Sequence, residues 1–420
     1  MADCPRKLSE DAEHRFLSAL ATRSAGAERK FECPPDDFRT EFDRDYTRII
    51  HCKAFRRLRH KTQVFVSPQN DHLCTRIEHS LHVASISRTI SKAIGLNNEL
   101  VAAIAVGHDL GHAPFGHHGE EVLGKLAEHT VLGHFWHEEQ SLRVVDKLEH
   151  PYDEHAGLNL TLPVRDGIRH HCGEEFPQQM EPRNHAGQPS DSDPDKRGKL
   201  TPMTLEGCVV RYADVIAYIG RDLEDAFDQG IVKPDDLPPV VKRVLGSKNR
   251  EIIARFVGDL YNNHVKDGKP NRIRFSDDVV DAARQLYAFN RERIYNSPQV
   301  KRHFRILDYA IRLMFEELGE LIQKCADDLS SLRRETKPHV RILHDFLTED
   351  LKLKTVEIKE VPRYATDFIA GMTDSFFLTT FTGMFREDLE KLFSYSHGAE
   401  YNASTSHVSL NQVGLPQLKV

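Results

Sequence analysis

The stretch His108-Asp-Leu-Gly-His-Ala-Pro-Phe-Gly-His-His-Gly-Glu120 is the most informative part of this chain, because it places four histidines and two carboxylates within thirteen residues. Its three glycines and one proline oppose an uninterrupted helix. The residues from Glu99 to Val106 are mostly apolar and predict a buried helix that carries His108 and Asp109 into the interior. Imidazole and carboxylate groups are suitable ligands for divalent first-row metals. We therefore predict a metal site here, with further ligands supplied by other segments.

The composition limits the class of protein. The chain has 420 residues, of which 39% are hydrophobic and 29% are charged, as in ordinary globular proteins. A net charge of −7 argues against a general nucleic-acid-binding protein. The seven cysteines show no Cys-x-x-Cys spacing and favour a reducing compartment over a disulfide framework. The first residues lack an apolar core, and no apolar run approaches the roughly 20 residues that span a bilayer. We expect a cytoplasmic protein without a signal peptide or a membrane segment.

Helical periodicity dominates the rest of the chain, so we predict an all-α fold with little or no sheet. Residues 176–201 lack periodicity and predict a mobile insertion, and only short strand-like pieces occur near 353–358. The expected divisions are an N-terminal extension (1–37), a core (38–230), a helical C-terminal part that packs on the core (231–395) and a polar tail (396–420). The expected helices include 9–22, 76–94, 99–107, 121–127, 137–148, 204–226, 238–266, 276–296, 299–325, 338–351 and a pair within 363–394.

Two further segments offer the missing ligands. His79 lies in the first turn of the helix that begins near Arg76, and Asp214 lies in an apolar helix, where an unpaired carboxylate is costly. A single helix histidine is more often structural, and an interhelical salt bridge is the alternative for Asp214. With His108 and Asp109 they provide two nitrogen and two oxygen ligands and leave positions open for water and substrate, as in catalytic metal sites. Mn²⁺ or Mg²⁺ suits this set best, with Fe, Co or Ni as alternatives.

An acid–base pair lies in the second half of the focal stretch. His117 and Glu120 are three residues apart, about one helical turn, so that the carboxylate could orient the imidazole. Histidine titrates near neutral pH and is suited to general acid or base catalysis. His112 is an alternative for the same role.

Two other clusters leave their function open. The segment 53–61 is the densest cationic stretch, and its Arg57 and Lys61 predict contacts with phosphate or with an effector. The alternative is a solvated helix face paired with nearby acids. The histidine pair His170 and His171 near a helix end leaves a second metal open.

The sequences that flank these residues narrow the class of protein. They are Phe55–Phe65 (FRRLRHKTQVF), His108–Glu120 (HDLGHAPFGHHGE) and Ala213–Tyr218 (ADVIAY). Together with the candidate metal ligands, they closely resemble the deoxynucleoside-triphosphate triphosphohydrolases, a group of HD-domain metal phosphohydrolases, from about residue 38 to 390. The resemblance implies an HD-domain helical bundle elaborated by additional C-terminal helices.

The resemblance also implies a reaction. A dNTP would be hydrolysed to a deoxynucleoside and intact inorganic triphosphate by attack at the α-phosphorus, with dGTP as a candidate preferred substrate. The four candidate ligands would hold the metal. His117 and Glu120 would form the catalytic dyad, and His112 would lie against the α-phosphate.

Substrate contacts follow from the same resemblance. Arg76 would contact phosphate, Gln63 would contact the sugar 3′-hydroxyl, and Tyr218 and Asp222 would face the deoxyribose. A tyrosine ring against C2′ would leave no room for a 2′-hydroxyl, and ribonucleotides would be excluded sterically.

Further implications concern partners and alternatives. Members of the resembled group form dimers and hexamers and can be activated by dNTP, so a homo-oligomer and a dNTP effector are expected. Gly220-Arg221 and Ser375 differ from the residues common at those positions, and no contact is carried over to them. The alternatives are another HD-domain phosphohydrolase, such as a nucleotidase or phosphodiesterase, or a nucleotide-sensing or single-stranded-DNA-binding protein with low activity.

Overall fold

The computed structural model describes residues 4–65, 73–152, 155–173, 176–183, 198–266, 271–334 and 337–395. Within these ranges the chain forms seventeen α-helices and one two-stranded sheet, which confirms the predicted all-α class. The helices are α1 (Pro5–Phe16), α2 (Glu41–His51), α3 (Lys53–Arg57), α4 (Arg76–Ile94), α5 (Asn98–Gly107), α6 (Gly116–Ala127), α7 (His137–Arg143), α8 (Leu162–Arg169), α9 (Leu205–Asp228), α10 (Pro239–Val244), α11 (Asn249–Lys266), α12 (Asp277–Asn290), α13 (Pro298–Lys301), α14 (Phe304–Lys324), α15 (Pro338–Asp345), α16 (Val361–Ala370) and α17 (Asp374–Tyr395).

Helices α4 and α5 pack against each other at the centre of the fold. Glu78 accepts a hydrogen bond of 2.8 Å from the backbone N–H of Thr75 at the start of α4. Gly95 ends α4 with φ of 76°, a left-handed conformation that favours glycine. The Asn97 side chain caps α5 by accepting from two backbone N–H groups. Every residue from Leu100 to Gly107 is buried, as the apolar sequence predicts.

Helix α9 packs against α4, α5, α8 and α11 and brings the third ligand segment to the centre. Its residues 205–213 are all buried, and its apolar side chains, such as Leu205, Val209 and Val210, belong to the hydrophobic core. The sheet is small, and its two strands lie between α8 and α9 and between α11 and α12 in the sequence. Its strands β1 (Gln179–Met180) and β2 (Ile273–Arg274) are antiparallel, with Met180 opposite Ile273.

Two hydrophobic clusters organise the described residues. One is formed by residues of α2–α5 and α8–α12, with Ile104 and Val209 fully buried in it. The other is formed by α6 and α14–α17, with Met314 and Phe377 fully buried. Helix α6 therefore belongs to the second cluster, although α5, only a short loop earlier, belongs to the first. The focal stretch joins the two clusters.

Several predicted boundaries are wrong. Helix α1 ends at Phe16, because Leu17 is extended (φ −85°, ψ 152°), so the predicted helix 9–22 is helical only as far as residue 16. The predicted helix 238–266 is interrupted near Gly246, whose φ is 95°. The predicted helix 299–325 is divided into α13 and α14, and 353–358 contains no strand.

The predicted insertion lies partly outside the described residues, and the predicted polar tail lies wholly outside them. Of the insertion predicted at 176–201, residues 179–180 form β1, and 184–197 lie outside the described residues. The tail 396–420 also lies outside them. The domain limits at 37 and 230 stay predictions; residues of α10 to α12 pack into the first cluster.

Candidate active site

The backbone of the focal stretch is held against α7. A Cβ atom on Gly111 would lie 2.1 Å from the backbone nitrogen of Ser141, so only glycine permits this approach. The Ser141 hydroxyl accepts a hydrogen bond from Gly111 N (2.8 Å) and donates one to the carbonyl of His108 (2.6 Å). These contacts fix the direction in which the His108 and Asp109 side chains leave the end of α5.

A sharp turn then redirects the chain into α6. Phe115 has φ of 64° and Gly116 has φ of 63°, so two consecutive residues are left-handed. The N–H of Phe115 donates to Asp374 Oδ1 (2.9 Å), and its ring packs edge-on against Phe377, with ring centroids 5.1 Å apart. The strained turn is thus stabilised by α17. It points the first turn of α6, which carries His117 and Glu120, back toward the ligand residues.

The four predicted metal ligands converge from α4, from the end of α5 and from α9. His79 Nε2 lies 2.9 Å from Asp214 Oδ1. His108 Nε2 lies 3.4 Å from Asp109 Oδ1 and 3.7 Å from Asp214 Oδ1. The interhelical contact considered as the alternative for Asp214 therefore exists, with His79 as its partner, within a larger group of ligand atoms.

The donor set fits a divalent cation. His108 Nδ1 donates to the carbonyl of Ala105 (2.6 Å), so its Nε2 presents a lone pair. That Nε2 is buried and has no hydrogen-bond partner among the described residues. Burial opposes ionisation of Asp214, but the His79 hydrogen bond and His108 lower its pKa to about 2. Burial is likewise outweighed at Asp109, whose pKa is held well below its usual value by His108, His112 and Arg76. Two ionised carboxylates and an unpaired imidazole nitrogen are what a bound cation requires.

The predicted acid–base pair is part of a larger histidine cluster. His117 Nδ1 lies 3.4 Å from Glu120 Oε2, and the His117 side chain is 76% exposed. The same oxygen lies 2.8 Å from Nδ1 of His137. The rings of His112 and His137 stack at a centroid distance of 3.8 Å. Sequence reasoning missed His137, because only the fold brings the start of α7 against Glu120.

The histidine pair after α8 divides between two environments. His170 contacts Asp166, with 3.1 Å between Nδ1 and Oδ1. His171 instead points at the cluster, with its Nε2 3.3 Å from His137 Nε2. Cys172 Sγ lies 3.1 Å from His137 Nε2 and 3.2 Å from His171 Nε2. The sequence indicated the pair but neither the His137 contact nor the thiol.

Groups with unused hydrogen-bonding capacity lie beside the ligand atoms. Arg76 is buried and pairs with Asp109 (Nη1 to Oδ2, 2.7 Å), whereas its Nε and Nη2 have no partner in the described part of the chain. His112 Nε2 lies 3.2 Å from Asp109 Oδ1, and its buried Nδ1 has no hydrogen-bond partner there. Gln63 Oε1 is also buried and has no hydrogen-bond partner among the described residues. A Cβ on Gly116 would lie 3.4 Å from Arg76 Nη2 and 3.3 Å from the Gln63 carbonyl, which places both residues next to Gly116.

Tyr218 and Asp222, the residues predicted to contact the sugar, lie along α9. The Tyr218 ring has its centroid 6.5 Å from that of His79. Asp222 accepts a hydrogen bond from the hydroxyl of Tyr295 (2.8 Å), and burial raises the pKa of Asp222 to about 7. Tyr295 comes from the C-terminal half, and sequence reasoning did not identify it.

The cationic segment 53–61 has two different environments. Lys61 is buried, and its ammonium donates to the carbonyls of His112 and Ala370 (2.6 Å to the latter). Two of its three N–H donors are thus used by main-chain carbonyls, and the predicted phosphate or effector contact of Lys61 stays a prediction. Arg57 is partly exposed, with its Nη2 4.0 Å from Glu149 Oε1, and lines a cavity of about 850 Å³. A phosphate or effector contact stays a prediction for Arg57.

Comparison with known proteins agrees with this geometry. Residues 76–219 match the HD domain, and residues 273–382 match the phosphohydrolase-associated domain. A deoxyguanosinetriphosphate triphosphohydrolase-like protein of Caldanaerobacter subterraneus subsp. tengcongensis is 39% identical over 381 residues, covering 90% of this chain and 95% of that protein. The chain belongs to the deoxyguanosinetriphosphate triphosphohydrolase-like family. A relative with the same description from Desulfatibacillum aliphaticivorans is 37% identical and covers 90% and 97% of the two chains. Another from Clostridium perfringens is 36% identical and covers 88% and 93%.

Membership of this family confirms the resemblance inferred from the motifs and makes the chain a hydrolase of the HD-domain class. The HD match begins at Arg76 and ends just after Tyr218, so it contains all four candidate metal ligands. The phosphohydrolase-associated match runs from β2 to the first part of α17 and includes Tyr295 and Asp374. Across the described ranges, no helix combines the length and apolarity needed to cross a bilayer.

Proposed function

We propose that this chain hydrolyses deoxynucleoside triphosphates to a deoxynucleoside and inorganic triphosphate, with a divalent metal ion as cofactor. The supporting observation is a set of buried polar atoms beside the ligand group that have no hydrogen-bond partner among the described residues. They are His108 Nε2, Arg76 Nη2 and His112 Nδ1. Leaving such atoms without partners is costly, and a site that binds a metal ion and a polyanion would satisfy them.

Arg76 is the residue best suited to hold phosphate. Its contact with Asp109 uses Nη1 and fixes the plane of the guanidinium, while Nε and Nη2 stay available as a pair of donors. A guanidinium binds two phosphate oxygens at once with charge-assisted hydrogen bonds. Because Arg76 is buried, these bonds would form in a low-dielectric environment and be stronger than on the surface.

His79, His108, Asp109 and Asp214 would hold the metal ion. When bound, the ion supplies Lewis-acid polarisation of a phosphoryl oxygen and neutralises charge that develops on it. We propose Mn²⁺ or Mg²⁺, because the set contains two carboxylates and no thiolate. In this proposal Asp109 has a second role, since its other oxygen orients Arg76.

The chemical step forms a bond between a water oxygen and the α-phosphorus while the bond from that phosphorus to the 5′-oxygen breaks. The 5′-oxygen must gain a proton to leave as the deoxynucleoside. His117 is suited to donate it, because Glu120 contacts Nδ1 and leaves Nε2 directed away from the carboxylate. The triphosphate leaves with the oxygen derived from water, and the proton that this water releases balances the one that His117 donates.

We propose that Tyr218 and Asp222 hold the sugar. Tyr218 is half-buried and follows Asp214 by four residues on the same helix, so its ring lies one turn from the reaction centre. A ring packed on C2′ would discriminate against a 2′-hydroxyl by steric overlap. Gln63 is the proposed partner of the 3′-hydroxyl, because its buried Oε1 can accept from that group.

The decisive experiment is a product analysis with the purified chain. We expect Mn²⁺-dependent release of intact triphosphate and a deoxynucleoside, and the loss of both with Asp109→Ala. The four dNTPs are tested singly and mixed, because a dNTP effector would leave a single substrate unreacted. We propose dGTP as the first substrate to test, since the relatives' descriptions specify deoxyguanosine triphosphate. Release of orthophosphate or pyrophosphate as the first product would indicate a different phosphohydrolase.

A further inference from the structure

His137, His171 and Cys172 form a compact group beside the candidate active site, and the proposed reaction assigns it no role. The three mutual distances between His137 Nε2, His171 Nε2 and Cys172 Sγ are 3.3, 3.1 and 3.2 Å. Both imidazoles are buried, and the thiol is partly buried. His137 begins α7, and the other two residues follow α8, so packing of α7 against α8 creates the group.

Hydrogen bonds at the opposite ring nitrogens orient these three atoms toward one another. His137 Nδ1 contacts the Glu120 carboxylate at 2.8 Å, and His171 Nδ1 contacts the carbonyl of Ile168 at 2.7 Å. Since a carboxylate and a carbonyl only accept, each Nδ1 carries a proton. Burial opposes a second proton on His137, but Cys172 and Glu120 raise its pKa well above the usual value, so a proton on Nε2 is the alternative to a metal ion. A bound cation would displace that proton and leave both rings neutral. Both Nε2 atoms then present lone pairs to each other and to the Cys172 sulfur, whose single proton serves only one of them. A cation among the three atoms would satisfy all of them.

The spacing also fits a single metal ion. Three atoms separated by 3.1 to 3.3 Å surround a centre roughly 1.9 Å from each, slightly inside the ~2.0–2.1 Å of zinc–nitrogen and ~2.3 Å of zinc–sulfur bonds. An ion just outside the plane of the three atoms reaches these lengths without moving the backbone. Metal-binding histidines usually donate the other ring N–H to a carboxylate or a carbonyl, and here Glu120 and Ile168 accept those bonds.

We propose that His137, His171 and Cys172 bind a second metal ion of the Zn²⁺ class, with a fourth position open to solvent or substrate. The thiolate separates this site chemically from the nitrogen–oxygen set around His108, because soft sulfur selects Zn²⁺ over Mn²⁺ and Mg²⁺. Binding would fix His137. Through that ring it would hold the Glu120 oxygen that also contacts His117, and the second ion would thereby regulate the acid–base pair.

Cobalt titration of the metal-free full chain tests the site by spectroscopy and needs no substrate, so its outcome is separate from that of the proposed reaction. We expect two Co²⁺ ions per chain, one of them giving thiolate-to-cobalt charge-transfer absorption in the near ultraviolet and strong visible bands of a tetrahedral ion. Zn²⁺ should abolish these bands and Mn²⁺ should not. A single bound ion, or a second ion without the thiolate absorption, would overturn the proposal. A proton on His137 Nε2, shared with His171 Nε2, would then explain the contact between the two rings.

Variants locate the signal. Cys172→Ser and His171→Ala should each remove the charge-transfer band and one ion per chain, whereas Cys325→Ser, a partly buried thiol at the end of α14, should retain both. His79→Ala should lose the other ion and keep the band. A band that survives Cys172→Ser would refute the assignment, and circular dichroism of each variant checks that the chain is folded.

Discussion

Asp374 at the start of α17 is expected to control both the stability of the fold and the orientation of α6. Its carboxylate is buried and accepts three hydrogen bonds, from the N–H (3.0 Å) and hydroxyl of Thr62 and from the N–H of Phe115 (2.9 Å). Hydrogen bonds to a charged group contribute about 1.5–3 kcal/mol each, with incomplete additivity. Asp374→Ala should therefore lower the free energy of unfolding by about 3–5 kcal/mol.

The same substitution should also reduce turnover, because Phe115 has a left-handed backbone that Asp374 helps to maintain immediately before His117. Urea denaturation followed by circular dichroism gives the stability change, and triphosphate release gives the activity. Asp374→Asn keeps one carbonyl acceptor for Phe115 and should lose less of both. Asp327→Ala, on the exposed surface, is the matched control. A loss of stability below about 1 kcal/mol for Asp374→Ala would refute the reasoning, since it would mean that water replaces these bonds.

Three further predictions concern other contacts. Arg76→Lys keeps a positive charge but loses the guanidinium fork, so kcat/KM for a dNTP should fall about 10- to 100-fold while metal content is unchanged, and equal kinetics would contradict the phosphate role. Burial raises the pKa of Asp222 to about 7 from an ordinary value near 4, so the wild-type chain should lose stability relative to Asp222→Asn as the pH rises through this window. Thermal melts at pH 4, 5.5 and 8 measure it, and a constant difference would refute it. Arg143→Met should destabilise the fold by about 3–5 kcal/mol in urea denaturation, because it leaves the buried Asp367 carboxylate without its bidentate partner, and Arg143→Lys should recover part of the loss.

The sequence predicted those parts of the site that depend on local pattern. The apolar run before His108 made α5 a buried helix, and the apolar surroundings of Asp214 indicated a carboxylate that needs a cation. Glycine and proline in the focal stretch indicated a broken backbone, which the structure has at Phe115 and Gly116. In each case the residue types within one segment are sufficient, because they determine the cost of burial or the backbone conformations that the segment can adopt.

Contacts between distant segments could not be predicted in this way. Asp374 is 259 residues from Phe115, and Tyr295 is 73 residues from Asp222, so nothing local marks either pair. His137 looks like an ordinary first residue of a helix until α7 packs beside Glu120. Helix ends were also poorly predicted, as at α1, because a single extended residue after Phe16 ends a pattern that continues in sequence.

The shared oxygen of Glu120 has a consequence for enzymology. Its Oε2 lies 2.8 Å from His137 Nδ1, 3.4 Å from His117 Nδ1 and 4.0 Å from His112 Nδ1. Burial opposes its ionisation, but His137 and His117 hold the pKa of Glu120 well below its usual value. A proton gained by His137 changes the proton affinity of the stacked His112 ring, so these two rings and Glu120 titrate as one unit. A limb of a pH–rate profile that reports this group then belongs to no single residue, and replacing His137 would displace that limb.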